Sequence, residues 1–289
     1  MDAVTRIERS LAQALALAQG SDAPPALVAA MRYAGFPGGA RIRPRLAIAV
    51  ARACAENKPD LSSAAAASIE LLHCASLVHD DLPCFDDAPT RRGRASVHKA
   101  FGEQLAVLSG DALIVLAFQS LARAAESAPA RLATLISIVA RATGAPAGIV
   151  AGQAWECEQH IALAQYQRAK TGALFAAATA AGACAAGADS SRWHLLGERI
   201  GEAYQIADDI RDVVSNEGDL GKPTGRDQVL GRPNAVHDLG IASAVGRLED
   251  LVRAAIDAIP NCPGAADLRA HILGEAGRLL PREIARPAA

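Results

Sequence analysis

The chain has 289 residues, 21% of them charged, and a formal net charge of -2. This balance excludes the broadly basic surface that most nucleic-acid-binding proteins present, so no nucleic acid is expected as a partner. Hydrophobic residues make up 51% of the chain but aromatic residues only 3%, and much of the apolar content is alanine, the strongest helix former. The composition therefore predicts a mainly helical protein with ample material for a core.

The six cysteines indicate neither a zinc site nor a disulfide framework. They are scattered and form no CxxC pair, which is typical of reduced, mostly buried thiols. Residues 1–15 read as a charged amphipathic helix and not as a secretory signal. The most apolar stretch, 64–78, contains Glu70 and His73 and is too short and too polar to span a bilayer. We expect a cytoplasmic protein that does not span the membrane.

Helix breakers divide the chain into predicted helices. The first covers residues 2–19, a second ends near the glycine turn at 36–39, and a third starts after Pro44. A long helix covers 61–81 and is stopped by Pro83. Further helices are predicted over 101–126, 130–145, a stretch ending near 157, 164–186 and 193–214, and two short helices follow a polar loop at 218–234. Short turns and the lack of strand patterns predict one all-α bundle domain over 1–289.

An acidic cluster stands at the end of the long predicted helix. Asp80, Asp81, Asp86 and Asp87 lie within eight residues, where they repel one another and the negative end of the helix dipole. A hard divalent cation would relieve this repulsion because it prefers carboxylate oxygens. The turn at Pro83 would bring Asp86 back toward Asp80 and Asp81. Taken alone, the cluster is equally consistent with a solvated acidic turn.

Arg91 and Arg92 follow this cluster closely. Metal ions held by aspartates and guanidinium groups beside them suit a polyanion, because each binds different phosphate oxygens. The alternative is that both arginines only form salt bridges with the aspartates.

A second acidic cluster lies inside the predicted helix 193–214. Asp208 and Asp212 are four residues apart and share a helix face with Gln205. Two like charges at this spacing destabilise a bare helix slightly, so either a bound cation or a solvated acidic stripe is indicated. Both clusters follow apolar helix segments, and packed helices could place them on opposite sides of one cavity. Together they predict a site with several metal ions for a diphosphate.

Basic and polar residues elsewhere could complete such a site. A glycine turn entering a helix can expose backbone N–H groups to anions, and the turn at 38–39 is followed by Arg41 and Arg43. His73 shares a helix face with Asp80, although a lone histidine on a helix usually has a structural role. The remaining candidates are Lys170, Thr171, Lys222 and Arg232.

The motifs resemble those of the trans-polyprenyl diphosphate synthases. HDDLPCFDDAPTRRGRASVHKAFGE, at 79–103, is similar to the first aspartate-rich motif of that family, and YQIADDIRD, at 204–212, to the second. LGKPTGRD follows, and GGARIRP, GDALI, GQAWE and AKTGALF occur in the order of the family. The resemblance spans nearly the whole chain and is closest to bacterial geranylgeranyl diphosphate synthases of carotenoid or photosynthetic-pigment pathways.

The resemblance implies an isoprenoid synthase bundle around a central apolar cavity, a homodimer, three Mg²⁺ ions, and isopentenyl and allylic diphosphates as substrates. The implied magnesium ligands are Asp80, Asp81, Asp86, Asp208 and Asp212. The implied contacts of the allylic diphosphate are Arg91, Lys170, Thr171, Gln205 and Lys222, and those of isopentenyl diphosphate are Arg43, His73 and Arg92. Arg232 would close the site, and the residues expected to carry the chemistry are Asp80, Asp81, Lys170 and Asp208.

Two positions depart from the family pattern. Ala40 stands where the family usually has lysine, so a contact to isopentenyl diphosphate is lost unless Arg41 or another residue replaces it. The GQ motif usually continues to an aspartate, whereas here Glu156 and Glu158 flank Cys157. The role of this acidic position stays open.

The implied reaction is ionisation, condensation and elimination. The allylic carbon–oxygen bond breaks while cations stabilise the departing diphosphate. The isopentenyl double bond attacks the allylic cation, and the released proton goes to the departed diphosphate. An apolar interior must exclude water, which would quench the cation.

Product length should depend on the depth of the pocket below the first motif. Relatives with short products carry a bulky aromatic residue just upstream, whereas Ala75 and Ser76 are small here. We therefore predict a C20 product, made from farnesyl, geranyl or dimethylallyl diphosphate. A farnesyl diphosphate synthase is the nearest alternative, and a non-catalytic partner subunit is a more distant one. A terpene cyclase and an HD-type hydrolase fit poorly, because the second motif is Asp-Asp-x-x-Asp and the further histidines of the hydrolases are lacking.

Overall fold

The computed structural model describes residues 1–160, 163–214 and 235–279. Within these ranges the α-helices are α1 (Ala3–Ala16), α2 (Pro25–Gly35), α3 (Ile42–Ala53), α4 (Pro59–Asp80), α5 (Val97–Phe101), α6 (Glu103–Ala124), α7 (Leu132–Thr143), α8 (Ile149–Ala154), α9 (Leu163–Gln167), α10 (Ala173–Ala186), α11 (His194–Val214), α12 (Ala235–Leu239), α13 (Ile241–Asp257) and α14 (Ala265–Leu279). A small antiparallel hairpin, β1 (Thr90–Arg91) and β2 (Arg94–Ala95), lies between α4 and α5. The all-α prediction is confirmed.

Helix α10 lies at the centre of the bundle. All of its residues except Ala173 are buried, as expected for a helix that is apolar on every face. It packs against α3, α4, α7 and α11. Small residues permit close approach, since a Cβ atom at Gly182 would lie only 2.3 Å from the carbonyl oxygen of Ala47 on α3. The main core joins α10 to the buried faces of α4, α6 and α7.

The turn before α10 lies between α4 and α11, the two helices that carry the acidic clusters. A single π-helical turn, Arg168–Gly172, precedes α10 and contacts both α8 and α11. Such turns interrupt an α-helix and often occur at functional sites. The sequence predicted one continuous helix over 164–186, so the π turn was not anticipated. Its Lys170 lies beside Asp80 at the end of α4, and its Thr171 bonds to Gln205 on α11.

Three other local predictions were wrong. The third helix begins at Ile42 and not after Pro44, because proline is tolerated in a first turn, where its missing N–H needs no partner. The described residues 235–279 hold α12, α13 and α14, two of them 15 residues long or longer, where two short helices were predicted. The β1–β2 hairpin was missed because its strands have only two residues each, too few to show an alternating pattern.

Two helices are long and apolar enough to cross a membrane by length and composition alone. In Pro59–Asp80, 83% of the relevant window is buried inside the protein, whereas in Glu103–Ser127 only 44% is buried. The first is therefore a core helix, since a soluble core helix passes the same test. The second keeps an exposed apolar face, which includes Val107, Leu108 and Val115.

Candidate active site

The turn after α4 brings Asp86 back to the end of the helix, as the sequence predicted. The backbone N–H of Asp86 donates to the carbonyl oxygen of Asp80 at 3.0 Å, and that of Ala88 donates to the carbonyl oxygen of Asp81 at 3.2 Å. These bonds satisfy carbonyl groups that a helix end leaves without partners. The aspartates on both sides of Pro83 are thereby held at one place.

A third carboxylate, Glu156, joins Asp80 and Asp86. One oxygen from each of these residues lies within 4.8 Å of the other two. Burial raises the pKa of Asp80; the proximity of Lys170 opposes this shift and Asp86 adds to it. Oδ1 of Asp80 is buried and accepts no hydrogen bond within the part of the chain that the structure describes, and Nζ of Lys170 lies 3.6 Å away. Three neighbouring carboxylates, one of which has a buried oxygen that accepts no hydrogen bond from the described residues, suit a hard cation such as Mg²⁺.

Glu156 is held by a set of polar side chains. Tyr166 donates its hydroxyl to Oε1 at 2.6 Å, Gln153 donates to Oε2 at 3.2 Å, and Lys170 forms an ion pair with Oε1. Gly152 permits this arrangement, because a Cβ there would lie 2.4 Å from the backbone nitrogen of Lys170. The sequence had left the role of Glu156 open. The GQ motif indicates that an acidic residue follows it, but the spacing within the motif does not show that Glu156 lies beside Asp80 of α4.

Asp81 has a different environment from Asp80. Its side chain is 2% exposed and forms an ion pair with Arg91, with Nε at 3.0 Å from Oδ1. Burial raises the pKa of Asp81, and Arg91 opposes the shift. Arg92 and Gly93, both with positive φ, form the turn of the β1–β2 hairpin, a conformation typical of two-residue hairpin turns. This hairpin holds Arg91 against the end of α4.

In the second acidic cluster, too, the two adjacent aspartates have different environments. Asp209 is buried and accepts hydrogen bonds from the Gln205 amide at 2.9 Å and from the backbone N–H of Ala235 at 2.9 Å. Asp208 is partly exposed and accepts from Arg211 at 3.1 Å. Asp212 follows one turn later on the same helix. Asp209 thus connects α11 to the start of α12, while Asp208 and Asp212 share another face.

Lys170 and Thr171 link the two acidic regions. Lys170 contacts Asp80 and Glu156, and the hydroxyl of its neighbour Thr171 donates to Oε1 of Gln205 at 2.9 Å. Gln205 in turn lies within one helical turn of Asp208. The predicted site residues of α4, the π turn and α11 are therefore brought together at the start of α10.

Several arginines lie near these carboxylates and near His73. The pKa of His73 lies well below its usual value, chiefly because of burial and then because of the charges of Arg43, Arg92, Arg91 and Arg41. The guanidinium carbon of Arg43 lies 4.4 Å from the ring centroid of Phe175, and its buried Nε has no acceptor among the described residues. A neutral imidazole among guanidinium groups can donate to a bound anion.

The glycine turn lies against two arginine side chains. A Cβ at Gly38 would lie 2.0 Å from the Arg41 guanidinium carbon, and one at Gly39 would lie 3.1 Å from Nε of Arg92. The two glycines therefore leave room for two arginine side chains. Arg41 itself is buried in ion pairs with Glu70 at 2.6 Å and Glu8 at 2.8 Å, so the idea that it replaces the missing lysine at position 40 is wrong.

The remaining predicted residues lie in different environments. Ala75 is 1% exposed within the main core, and Ser76 is partly exposed and donates to the carbonyl oxygen of His73 at 2.9 Å. Lys222 and Arg232 lie outside the described residues.

Comparisons with known proteins agree with this geometry. The family model described as polyprenyl synthetase matches residues 24–262. The geranylgeranyl diphosphate synthase of Cereibacter sphaeroides is 53% identical over 97% of both chains. That of Rhodobacter capsulatus is 51% identical over 91% of both chains. Farnesyl diphosphate synthases of other bacteria are 35% to 40% identical.

Among solved structures, a Helicobacter pylori geranyltransferase complexed with magnesium and isoprenyl diphosphate superposes with a TM-score of 0.82 at 28% identity, covering 95% of this chain and 96% of that one. The family model and the close relatives both span most of the chain. The chain therefore belongs to the polyprenyl synthetase family.

Proposed function

We propose that the protein is a magnesium-dependent trans-prenyltransferase that condenses isopentenyl diphosphate with an allylic diphosphate to give geranylgeranyl diphosphate and diphosphate. The observation that carries this proposal is the convergence of Asp80, Asp86 and Glu156 within 4.8 Å beside Lys170. The family membership supports the reaction class. The identity above 50% to two geranylgeranyl diphosphate synthases supports the product.

The acidic residues would hold magnesium on the allylic side. We assign Asp80, Asp86, Asp208 and Asp212 as ligands of up to three ions, directly or through water. Glu156 is added to this set because its carboxylate lies with those of Asp80 and Asp86. When bound, magnesium supplies the positive charge that stabilises the departing diphosphate. Asp81, which was expected to be a ligand, is assigned instead to orienting Arg91, because the two form a buried ion pair.

The cationic residues would hold the two substrates. Arg91, Lys170, Thr171 and Gln205 lie next to the acidic residues and would bind the allylic diphosphate, together with Lys222. Arg43, His73 and Arg92 would bind isopentenyl diphosphate, because the two arginines lie close enough to add to the effect of burial in lowering the pKa of His73. Two substrates with adjacent diphosphates place the allylic carbon near the isopentenyl double bond.

The apolar interior would exclude water from the allylic cation and hold the growing chain. Helices α4 and α10 provide almost entirely apolar or small side chains beneath the acidic residues. Such a dry environment prevents quenching of the cation. The departed diphosphate accepts the proton that the condensed product loses.

The direct test is incubation with isopentenyl diphosphate and each of dimethylallyl, geranyl and farnesyl diphosphate, followed by product sizing. We expect a C20 product that requires Mg²⁺ and disappears with excess chelator. A C15 product would favour the farnesyl synthase alternative, and the lack of any product would favour a partner subunit without its own activity.

Product length can be tested at Ala75. Because this side chain is buried below the first acidic cluster, Ala75→Tyr should place a ring in the path of the product and shift the distribution toward C15. Ala178→Ser, at a buried position of α10, serves as a control for disturbance of the core. An unchanged distribution for Ala75→Tyr would contradict this account of chain length.

We also propose a homodimer formed through α6. Val107, Leu108 and Val115 are 41%, 52% and 65% exposed on one side of this helix, around the exposed Asp111, and clusters of exposed apolar side chains mark protein interfaces. Sedimentation should give a dimer for the natural chain and a monomer for Val115→Asp.

The resemblance of the motifs to pigment-pathway enzymes supports a cytoplasmic role in supplying carotenoid precursors.

A further inference from the structure

The side chain of Arg211 lies near one residue assigned to isopentenyl diphosphate, Arg43, and contacts one assigned to magnesium, Asp208. Its guanidinium carbon lies 5.6 Å from the ring centroid of Tyr204, and that of Arg43 lies at the same distance from the same ring. Residues 204, 208 and 211 follow one face of α11. Arg211 therefore shares one aromatic neighbour with Arg43 and, at 3.1 Å, one oxygen contact with Asp208.

Arg211 also lines a cavity of about 170 Å³ that reaches residue 40. The wall of this cavity includes Ala40, Arg45, Tyr204 and Arg211. Ala40 is exposed and has only a methyl side chain. A long cationic side chain from α11 can enter this space without meeting a side chain at position 40.

The arginines that line the cavity form ion pairs with different carboxylates. Arg45 and Arg278 both bond to Glu275, at 2.7 and 2.6 Å, and Glu275 has no assigned role in catalysis. The carboxylate partner of Arg211 is Asp208, which is an assigned magnesium ligand. A carboxylate that binds a divalent cation loses much of its attraction for a guanidinium group, because the metal charge opposes the arginine charge.

We propose that Arg211 changes partner on substrate binding: it leaves Asp208 when that carboxylate binds magnesium, and together with Arg43 it then holds the diphosphate of isopentenyl diphosphate. This inference rests on the proposed function. Arg211 thereby supplies, across the cavity, the positive charge that residue 40 does not. Two guanidinium groups can bind different oxygens of one diphosphate, and the buried Nε of Arg43, which lacks an acceptor among described residues, is a donor available to it.

The test is the separate effect of Arg211→Met on the two substrates. This variant removes the guanidinium group and keeps most of the apolar stem. We expect KM for isopentenyl diphosphate to rise about tenfold, equivalent to about 1.4 kcal/mol, with KM for the allylic substrate within about twofold of the natural value. Calorimetric titration of isopentenyl diphosphate in the presence of Mg²⁺ should show the same loss of affinity.

Relocating the charge distinguishes substrate binding from a structural role. The double variant Ala40→Lys with Arg211→Met should recover most of the affinity for isopentenyl diphosphate, and Arg211→Lys should retain much of it. Arg45→Met, in the same cavity, should leave both KM values nearly unchanged. Melting temperatures would confirm that all variants fold.

Two outcomes would overturn the inference. One is an unchanged KM for isopentenyl diphosphate in Arg211→Met. The other is an equal rise of both KM values that Ala40→Lys does not reverse, which would assign Arg211 only to the salt bridge with Asp208. Failure of the proposed function is distinguishable, because the natural chain would then form no prenyl product at all.

Discussion

The pair Asp80-Asp81 ends helix α4, whereas the pair Asp208-Asp209 lies inside α11. In each pair the second carboxylate is buried, Asp81 at 2% exposure and Asp209 at 3%. Asp81 is balanced by a full positive charge on Arg91. The partners that the structure describes for Asp209 include the uncharged amide of Gln205 and the backbone N–H of Ala235.

In both regions the two aspartates of the pair have separate roles. The first aspartate lies with the residues assigned to metal binding, and the second fixes the local structure. Near α4 the structural partner is itself a predicted substrate contact, so stability and binding are coupled there. In α11 the partners are the Gln205 amide, which is also an assigned substrate contact, and the backbone of α12, so the buried aspartate additionally connects two helices.

The largest effect is expected at the first aspartates. Asp80→Asn and Asp208→Asn should each lower kcat by about 10²–10³-fold, because each removes a carboxylate assigned to hold the magnesium whose positive charge would stabilise the departing diphosphate. Steady-state assays at saturating Mg²⁺ measure this, with Asp250→Asn, an exposed position on α13, as the control. Near-natural activity of Asp208→Asn would show that the two regions do not form one site.

The second aspartates should separate in stability. Asp81→Asn leaves the Arg91 charge without its buried carboxylate and should lower the free energy of unfolding by about 2–3 kcal/mol. Asp209→Asn keeps one acceptor oxygen for the Gln205 and Ala235 donors and should lower the free energy of unfolding by about 1 kcal/mol. Urea denaturation at fixed protein concentration compares the two. Equal losses would mean that the charge of Arg91 does not distinguish the regions.

Substitution of Glu156 tests whether the magnesium site at Asp80 and Asp86 requires this third carboxylate. Glu156→Gln should reduce activity about 10–100-fold and raise the Mg²⁺ concentration needed for half-maximal rate, because it weakens both the metal cluster and the Lys170 contact. Glu158→Gln, two residues away and exposed, should behave as the natural chain. Identical behaviour of both variants would remove Glu156 from the site.

The smallest effect is expected where the two regions meet. Thr171→Val removes the hydroxyl that bonds to Gln205 and should lower kcat/KM for the allylic substrate about fivefold to tenfold, the effect of one ordinary hydrogen bond. Thr171→Ser keeps the hydroxyl and should retain most of the activity. If serine and valine were equally impaired, packing of the methyl group would be the important property.

The sequence alone determined the helical class and the chemistry of the acidic clusters. Alanine content and helix breakers predict helices through local preferences, and the Pro83 turn predicted the return of Asp86 toward Asp80. These features depend on residues close in sequence. The same holds for the spacing of Asp208 and Asp212, which a helix places on one face.

Tertiary structure decided which charged groups meet. Glu156 joins Asp80 across 76 positions of sequence, and Arg41 is buried by Glu8 and Glu70 from two other helices. No local pattern specifies such partners, because they depend on how helices pack and on close approaches such as Gly152 against the π turn. The local sequence determined the types of side chain available, and packing of distant helices determined which of them became neighbours, since charge pairing requires proximity in space and not in sequence.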